Sequence, residues 1–325
     1  MNLDININSY IDGILAGNRR ILAKTMTLIE SRLPEHSRAA SEIMEKILPH
    51  TGKSIRLGIT GVPGVGKSTF IENLGVFLAD KGHKVAVLVI DPSSRRSGGS
   101  ILGDKTRMDK LSAHENAFIR PSPAGETLGG VAAKTREVLL ICEAAGFDVI
   151  FVETVGVGQS ETSVAAMVDF FLVLMLAGAG DELQGIKKGV LEIADGIAIN
   201  KADGENVTAV EKAKQELEIA LHFMRPETPT WTTPVLTCSS VTEGATSHVW
   251  DMVLDHNKKF QASGEFAQRR RKQSLEWMWT LVQEGLQKRF HTNENIKKDI
   301  PILSDGVQND RITPAVAAQR LLSYL

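Results

Sequence analysis

Residues 58–70 read GITGVPGVGKSTF, and this stretch decides how the rest of the chain is interpreted. From Gly61 to Ser68 the spacing is G-x-x-x-x-G-K-S, in which glycines permit a tight turn and several backbone N–H groups converge on one anion. The residues before it, SIRLGIT, form a short apolar run rich in β-formers, and Phe70 and Leu74 follow at helical spacing. The N-terminus of a helix adds positive potential to such an anion site. A strand, a loop and a helix in this order predict a phosphate-binding loop.

The loop supplies two side chains that suit nucleotide chemistry. Lys67 is expected to reach the β- and γ-phosphates, where its charge makes it a catalytic candidate, and the Ser68 hydroxyl is a candidate ligand of Mg²⁺. The predicted nucleotide-binding residues of this P-loop are Gly61, Val62, Pro63, Gly64, Val65, Gly66, Lys67, Ser68 and Thr69.

Bulk composition narrows the class of protein. The chain has 325 residues, of which 42% are apolar and 23% charged, proportions that are ordinary for a soluble globular protein. A formal net charge of −2 disfavours a nucleic-acid partner, because such binders neutralise phosphates with excess Lys and Arg. The N-terminus has no basic segment followed by an apolar core, and the most apolar run, FFLVLMLAGAG, is about half of a membrane span. We therefore expect a soluble cytoplasmic protein with neither a nucleic-acid nor a membrane partner.

Hydrophobic patterning divides the chain into three parts. Residues 1–50 repeat apolar positions at helical spacing and are predicted to form an N-terminal helical extension. Residues 51–258 alternate short Val-, Ile- and Leu-rich runs with helical patterns, which is typical of a mostly parallel sheet covered by helices on both faces. Residues 259–325 are helical again. The predicted fold is thus α/β, a P-loop NTPase domain with helical extensions at both ends.

The C-terminal extension has an apolar stripe on one helical face: Leu275, Met278, Trp279, Val282 and Leu286. Either this stripe packs on the nucleotide domain, or it forms a subunit interface. The second interpretation is favoured because large aromatic side chains are enriched in interfaces, and it predicts a homodimer in which residues 259–325 supply the contact. The basic run RRRK at 269–272 is interpreted as a solvated helix face.

The base is inferred from residues at the strand ends, because ligands of open α/β sheets bind beyond the carboxyl ends of the strands. GIAINKAD ends one strand with Asn200, Lys201 and Asp203, an N-K-x-D pattern. A carboxylate at Asp203 can accept both the N1–H and the 2-amino hydrogens of guanine, whereas adenine offers neither donor. Lys201 is expected to pack its stem along the nucleotide. Ser239 and Ser240, at the end of the last strand, are expected to support the guanine carbonyl through backbone N–H groups, so the predicted ligands are GTP and GDP.

Further acidic residues are candidates for the metal site and for positioning the attacking water. Asp91 and Glu153 each end a strand, and the ETVG that begins with Glu153 has the D-x-x-G shape with Glu in place of Asp. The Glu153 carboxylate is a candidate Mg²⁺ ligand, and the Gly156 N–H is a candidate sensor of the γ-phosphate. The glutamine that usually follows this glycine is missing. Gln159, two positions beyond that place, is a catalytic candidate, but the group that orients the water stays open. Asp104 either lies near the metal or the water, or is an ordinary loop acid.

Segments along essentially the whole chain, the helical extensions included, resemble the MeaB/ArgK family of P-loop GTPases. The most specific segments are GVPGVGKST, VIDPSS, SILGDKTRM, ETVGVGQSE, AGAGDELQGIKKG and NKAD. The resemblance implies a dimeric GTPase that serves adenosylcobalamin-dependent methylmalonyl-CoA mutase as a chaperone, gating cofactor loading and protecting or reactivating the enzyme. It also implies that Asp91, Asp104 and Glu153 surround Mg²⁺.

The resemblance further implies that GDELQGIKKG is a mobile switch that contacts the partner enzyme. Its expected switch residues are Asp181, Gln184, Lys187 and Lys188, and which lysine makes the functional contact stays open. The eight histidines are scattered and the two cysteines are isolated, which disfavours a metal-delivery role. No cobalamin-ligand signature is evident in the sequence either, so cobalamin is expected to belong to the partner.

Three functions stay open at this point. The leading hypothesis is a GTP-hydrolysing switch that is slow alone and stimulated by its partner. The alternative is a kinase that transfers the γ-phosphoryl of GTP or ATP to a small molecule or, as the resemblance implies through a kinase label carried by that family, to a protein of periplasmic amino-acid transport. A kinase needs a base for the acceptor hydroxyl and a pocket for the acceptor, and no segment of the sequence marks either. The third is a nucleotide-dependent scaffold without turnover.

Overall fold

A computed structural model describes residues 6–31, 33–91, 108–123, 128–154, 161–178, 188–223, 228–242 and 244–325 of the chain. The chain forms two compact units, Met1–Arg271 and Lys272–Leu325. The three-part division that the hydrophobic patterning predicts stays a prediction.

The first unit is built on a parallel sheet. Its described strands are β1 (Ile55–Gly61), β2 (Val85–Asp91), β3 (Ala117–Pro123), β4 (Val149–Thr154), β5 (Phe170–Leu176), β6 (Gly196–Asn200) and β7 (Val235–Thr237). They form one seven-stranded sheet in the order β3-β2-β4-β1-β5-β6-β7, and every neighbouring pair is parallel. Because β1 is the central strand, the loop that follows it emerges from the middle of the carboxyl edge, between the ends of β4 and β5.

Helices make up most of the remaining described residues. They are α1 (Ile7–Leu15), α2 (Arg19–Glu30), α3 (Pro34–Ile47), α4 (Lys67–Asp80), α5 (Asp109–Ala113), α6 (Leu128–Ala144), α7 (Glu161–Ala165), α8 (Lys188–Glu192), α9 (Val207–His222), α10 (Ser247–Ser263), α11 (Glu265–Thr292), α12 (Glu294–Gln308) and α13 (Pro314–Leu322). Short 3₁₀ turns follow α3 and precede α9.

Alternate strand residues point into two separate cores, one on each face of the sheet. Val87 and Phe151 belong to the core that includes Phe70 of α4. Leu88 and Ile150 belong to the other core, which also contains apolar side chains of α1, α2, α3 and α6. Strands that are buried on both faces read as near-continuous apolar runs, which is why the sequence pattern indicated a parallel sheet. The predicted α/β fold, with helices on both faces of a parallel sheet, is confirmed.

The most apolar run of the sequence, FFLVLMLAGAG, begins with strand β5, Phe170–Leu176, which is buried in the sheet as predicted except for its partly exposed last residue. Its neighbours are β1 on one side and β6 on the other. In the part of the chain that the structure describes, no helix is both long enough and apolar enough to cross a membrane.

The basic run at 269–272 is not solvated at its first two residues, so the interpretation from the sequence is wrong there. Arg269 donates to both carboxylate oxygens of Asp195 at 2.9 Å each, and Arg270 donates to both oxygens of Asp169 at 2.8 and 2.7 Å. These acids directly precede β6 and β5, so the pairs fasten the beginning of α11 to the amino edge of the sheet. The sequence could not indicate them because the partners lie 74 and 101 positions away.

A third ion pair lies at the same edge. Glu143 of α6 accepts from Nε and Nη2 of Arg56 at 2.9 Å each, and also from Ser54 Oγ at 2.5 Å. Burial by itself raises the pKa of Glu143, but the hydrogen bonds and charge of Arg56, together with Ser54 and Arg270, outweigh burial and hold that pKa below its ordinary value. The carboxylate is therefore ionised where it lies inside the protein.

Candidate nucleotide-binding site

The predicted phosphate loop lies between the end of β1 and the start of α4. A Cβ at Gly61 would collide with the carbonyl oxygen of Leu174 on the neighbouring strand. Gly66, with φ of 98°, is in a conformation that side chains rarely adopt, and a Cβ there would lie 2.7 Å from Asn200 Nδ2. Both positions thus require glycine, for close approach as well as for the turn. The strand, loop and helix expected from GITGVPGVGKSTF are all present.

Lys67, the first residue of α4, turns its side chain back into the loop. Its Nζ donates to the carbonyl oxygens of Gly61 at 2.8 Å and Val62 at 3.2 Å. Burial lowers the pKa of Lys67, and the charges of Glu153 and Glu161 oppose that shift. A poorly hydrated ammonium group interacts more strongly with a nearby anion than a solvated one, which suits Lys67 to bind a phosphate at this loop.

Ser68 and Glu153 meet beside the phosphate loop. Glu153 stands near the end of β4, in register with Ile59 of β1, and its Oε1 accepts from Ser68 Oγ at 3.0 Å. A hydroxyl and a carboxylate are the hard oxygen ligands that Mg²⁺ uses, so these two side chains fit such an ion. Among the described residues, no group of three or more His, Cys, Asp or Glu side chains is arranged to hold a metal ion.

Asn200 links the phosphate loop to the segment after β7, residues 238–242, which we call the base loop. The side chain is 1% exposed. Its Nδ2 donates to Val65 O at 2.7 Å, while its Oδ1 accepts from the Ser240 N–H at 3.0 Å and from Ser240 Oγ at 2.8 Å. The amide thus holds the two loops together from both of its ends. The Ser240 N–H, which the sequence predicted to support the guanine carbonyl, therefore donates to Asn200.

A chain of hydroxyl groups orients the carboxylate of Asp203. Thr242 Oγ1 donates to Ser239 Oγ at 3.0 Å, and Ser239 Oγ donates to Asp203 Oδ2 at 2.5 Å. Lys201 has φ of 62°, a left-handed backbone that is uncommon for residues other than glycine. The N-K-x-D segment thus lies at the carboxyl end of β6, with one acidic side chain held in place by the base loop.

Comparison with known protein families identifies the family of this chain. Residues 22–295 match the family model described as Methylmalonyl Co-A mutase-associated GTPase MeaB. This chain belongs to the MeaB family. The resemblance inferred from the sequence segments is confirmed, and the MeaB-family protein is a GTPase that binds guanine nucleotides.

Relatives of the MeaB-family chain are similar along nearly its full length. A putative GTPase of Caulobacter vibrioides is 50% identical over 98% of both chains. GTPase ArgK of Escherichia coli is 46% identical over 95% of this chain and 93% of its own. The mitochondrial methylmalonic aciduria type A homolog of Mus musculus is 41% identical over 97% of this chain and 79% of its own.

One solved structure supports the P-loop NTPase fold of this MeaB-family protein. The crystal structure of LAO/AO transport system kinase has a TM-score of 0.79 and 38% identity, and the match covers 100% of this chain and 99% of that one. The predicted fold class is confirmed in both its parts, the phosphate loop and the parallel sheet.

Several predicted site residues of the MeaB-family chain fall outside the described residues. They are Asp104, Gly156, Gln159, Asp181, Gln184 and Lys187. Asp91 is the last residue of β2, which places its backbone at the carboxyl edge of the sheet, and Lys188 is the first residue of α8. The other predicted residues converge in two groups, the phosphate loop with Ser68 and Glu153, and the base loop with Asn200 and Asp203.

Two further residues lie near this site and were not predicted from the sequence. Glu161, the first residue of α7, is buried, and its charge acts on Lys67. The sequence feature that could have indicated Glu161 is its position at the end of the glycine-rich segment ETVGVGQSE. Asn73 of α4 donates its amide N–H to the carbonyl oxygen of Ser240. The sequence feature that could have indicated Asn73 is a polar amide side chain between Ile71 and Leu74, two apolar residues of a helix that packs on the sheet.

Proposed function

We propose that this MeaB-family GTPase is a nucleotide-dependent switch and the chaperone of an adenosylcobalamin-dependent methylmalonyl-CoA mutase. In this role it gates cofactor loading and protects or reactivates the mutase, in the cytoplasm, where GTP is supplied. The names of two similar entities support the choice of mutase as the partner. The family model refers to association with methylmalonyl-CoA mutase. A relative that is 41% identical over 97% of this chain is named for methylmalonic aciduria. The observation that best supports a switch is that the Asn200 side chain joins the phosphate loop to the base loop. Through this connection the protein can respond to the base and the phosphates of one nucleotide together.

Guanine selection is assigned to Asp203. Its carboxylate accepts the N1–H and 2-amino hydrogens of guanine, and the Ser239 hydroxyl sets its orientation from the opposite side. Adenine lacks both donors and would leave the carboxylate without a partner on the side of the base, an unpaired acceptor that costs binding free energy. Lys201 packs its stem along the nucleotide in this proposal.

Hydrolysis is assigned to the phosphate loop and its two neighbouring oxygens. Lys67 neutralises charge on the β- and γ-phosphates, and the loop N–H groups orient them. Ser68 and Glu153 would hold Mg²⁺, with Asp91 and Asp104 as further proposed ligands. When bound, Mg²⁺ supplies positive charge against the phosphate oxygens. No glutamine follows Gly156 directly, so we propose slow turnover for the protein alone.

Stimulation by the partner is assigned to the segment after β5. Asp181, Gln184, Lys187 and Lys188 are proposed to contact the mutase, and the γ-phosphate with Mg²⁺ is proposed to change their arrangement. If so, GTP and GDP forms differ in affinity for the mutase by a coupling of ~1–3 kcal/mol. By linkage, the mutase then changes nucleotide affinity by the same factor.

We also propose that the protein is a homodimer formed through α11. The five apolar residues of its stripe are all exposed, Trp279 at 61% and Leu275 at 59%, whereas the polar side chain of Gln273 is buried. A helix that exposes its apolar stripe is poorly suited to water, and such a patch marks a protein interface. A second copy of the same helix is the partner we propose, since a two-fold contact pairs like surfaces.

The decisive experiment measures GTPase rate with and without a methylmalonyl-CoA mutase from the same cell. We expect slow turnover alone and a marked increase with the mutase. Asp181→Lys and Lys188→Glu should each reduce the stimulated rate while sparing intrinsic turnover and GDP binding. Lys212→Glu, a charge reversal at a 79% exposed side chain of α9, is the matched control and should change neither rate.

Three results would contradict this function. Equal loss of intrinsic and stimulated rates in the Asp181 and Lys188 variants would assign these residues to catalysis rather than to coupling. Label from γ-³²P-GTP on a protein or small-molecule acceptor, instead of in free phosphate, would establish a kinase. GTP binding without any turnover, even with the mutase present, would leave only a scaffold.

A further inference from the structure

The helix that follows the phosphate loop also contacts the base loop, in addition to the link that Asn200 makes. Asn73 of α4 donates its side-chain N–H to the carbonyl oxygen of Ser240, a residue 167 positions further along the chain. Its neighbours Ile71 and Leu74 are fully buried and apolar, as a helix packed on a sheet requires. Asn is a weaker helix former than Leu or Ala, so helix formation alone does not account for it.

Ser240 is consequently held on both sides. Its N–H and hydroxyl donate to Asn200 Oδ1, at 3.0 and 2.8 Å, and its carbonyl accepts from Asn73. The residue is 4% exposed, so each of these bonds is shielded from water. The orientation of the peptide between Ser240 and Val241 is therefore determined by α4.

The other end of that peptide is a hydrogen-bond donor. A trans peptide is planar and its N–H points away from its C=O, so the Val241 N–H points away from Asn73. Within the part of the chain that the structure describes, no group accepts from this N–H. The Val241 side chain is exposed, which places this peptide at the surface of the base loop.

We propose that Asn73 is a positioning residue that directs the Val241 N–H at the 6-oxo group of guanine. The Val241 N–H can donate to a ligand at the surface of the base loop, and guanine carries an accepting oxygen at C6, where adenine carries an amino donor. The inference rests on the proposal that Asp203 and the base loop hold the base. Helix α4 then serves both ends of the nucleotide, because its first turn carries Lys67 and Ser68 while Asn73 sets the donor for the base.

The test compares nucleoside diphosphates that differ at one position of the base. Asn73→Ala should raise the Kd for GDP about three- to tenfold, the effect of about one hydrogen bond. The same loss is expected for IDP, which keeps the 6-oxo group and lacks the 2-amino group. For 6-thio-GDP, whose sulfur is a weak acceptor, the loss should be below about twofold.

Two further variants keep the experiment interpretable. Asn73→Asp preserves side-chain volume but replaces the amide donor with a carboxylate, so it should show the same selective loss even if the alanine variant folds poorly. Glu72→Gln is the matched control on the same helix. Its side chain accepts from the Lys110 N–H at 2.8 Å, away from the base loop, and it should leave all three Kd values unchanged.

The outcomes separate this inference from the proposed function. A wild-type protein that binds ADP as tightly as GDP would overturn guanine recognition itself. A wild-type preference for GDP, with Asn73 variants that bind GDP normally, would overturn only the role of Asn73. Equal losses for GDP and 6-thio-GDP would also overturn it, since Asn73 would then support the site without directing the N–H at the oxygen.

Discussion

Replacing Asp203 by asparagine tests how the base is recognised, because it removes one charge and turns one acceptor into a donor at constant shape. The hydroxyl relay determines which way the new amide must face. A carboxylate only accepts, so Ser239 Oγ donates to Asp203 while it accepts from Thr242 Oγ1. An asparagine there would give its oxygen to Ser239 and turn its NH₂ toward the base, where guanine presents two donors.

The size of the effect follows from the bonds lost. Hydrogen bonds to a charged group contribute about 1.5–3 kcal/mol, and at least one of the two made to guanine disappears in Asp203→Asn. Since about 1.4 kcal/mol corresponds to a factor of ten, the Kd for GDP should rise at least about tenfold. Xanthine has an oxygen at C2 in place of the amino group, so the new NH₂ gains a partner and xanthosine diphosphate should bind better than it does to the wild type.

Calorimetric titration of GDP and xanthosine diphosphate into both proteins measures this exchange. Ser239→Ala is the control: it removes the group that orients Asp203 but keeps the charge, so GDP binding should weaken less and xanthosine diphosphate should gain nothing. Normal GDP binding by Asp203→Asn, or no gain for xanthosine diphosphate, would refute the assignment of Asp203 to the base.

Three further predictions concern turnover, acid stability and assembly. Lys67→Ala should lower kcat by at least about 100-fold in a phosphate-release assay, because no other side chain of the loop carries positive charge; near-normal turnover would remove Lys67 from catalysis. Because Glu143 has a lowered pKa, its pairing with Arg56 stabilises the fold above the ordinary carboxyl value of 4.5, and this contribution should fade as the pH falls through the lowered pKa. Glu143→Gln should lower the free energy of unfolding, measured with denaturant at pH 7, by about 3–5 kcal/mol, and should weaken the loss of stability at acidic pH. The same loss of stability at acidic pH in the variant and the wild type would contradict this. Trp279→Asp should convert the proposed dimer to a monomer in light scattering, and a dimer that persists would exclude the α11 stripe as the interface.

The sequence alone determined those features that depend on residues within one contiguous segment. The turn from Gly61 to Ser68 depends on residues within one loop, where glycine conformation and the helix start act locally, so the pattern sufficed to predict the phosphate site. The strands could be recognised because burial on both faces leaves continuous apolar runs. The N-K-x-D segment was placed at a strand end for the same reason, and its order after the phosphate loop indicated a guanine nucleotide.

Contacts between distant segments were decided only by the tertiary structure. Ser68 meets Glu153 from 85 positions away, because β1 and β4 are neighbours in the sheet although two other strands separate them along the chain. Asn200 reaches Val65 across 135 positions, since β6 ends beside the phosphate loop. No local pattern specifies strand order, because an apolar run fits any interior place in a parallel sheet. The partners of Arg269, Arg270 and Asn73 depend on that order, and so polar residues that looked solvated or incidental in the sequence became fixed contacts of the folded chain.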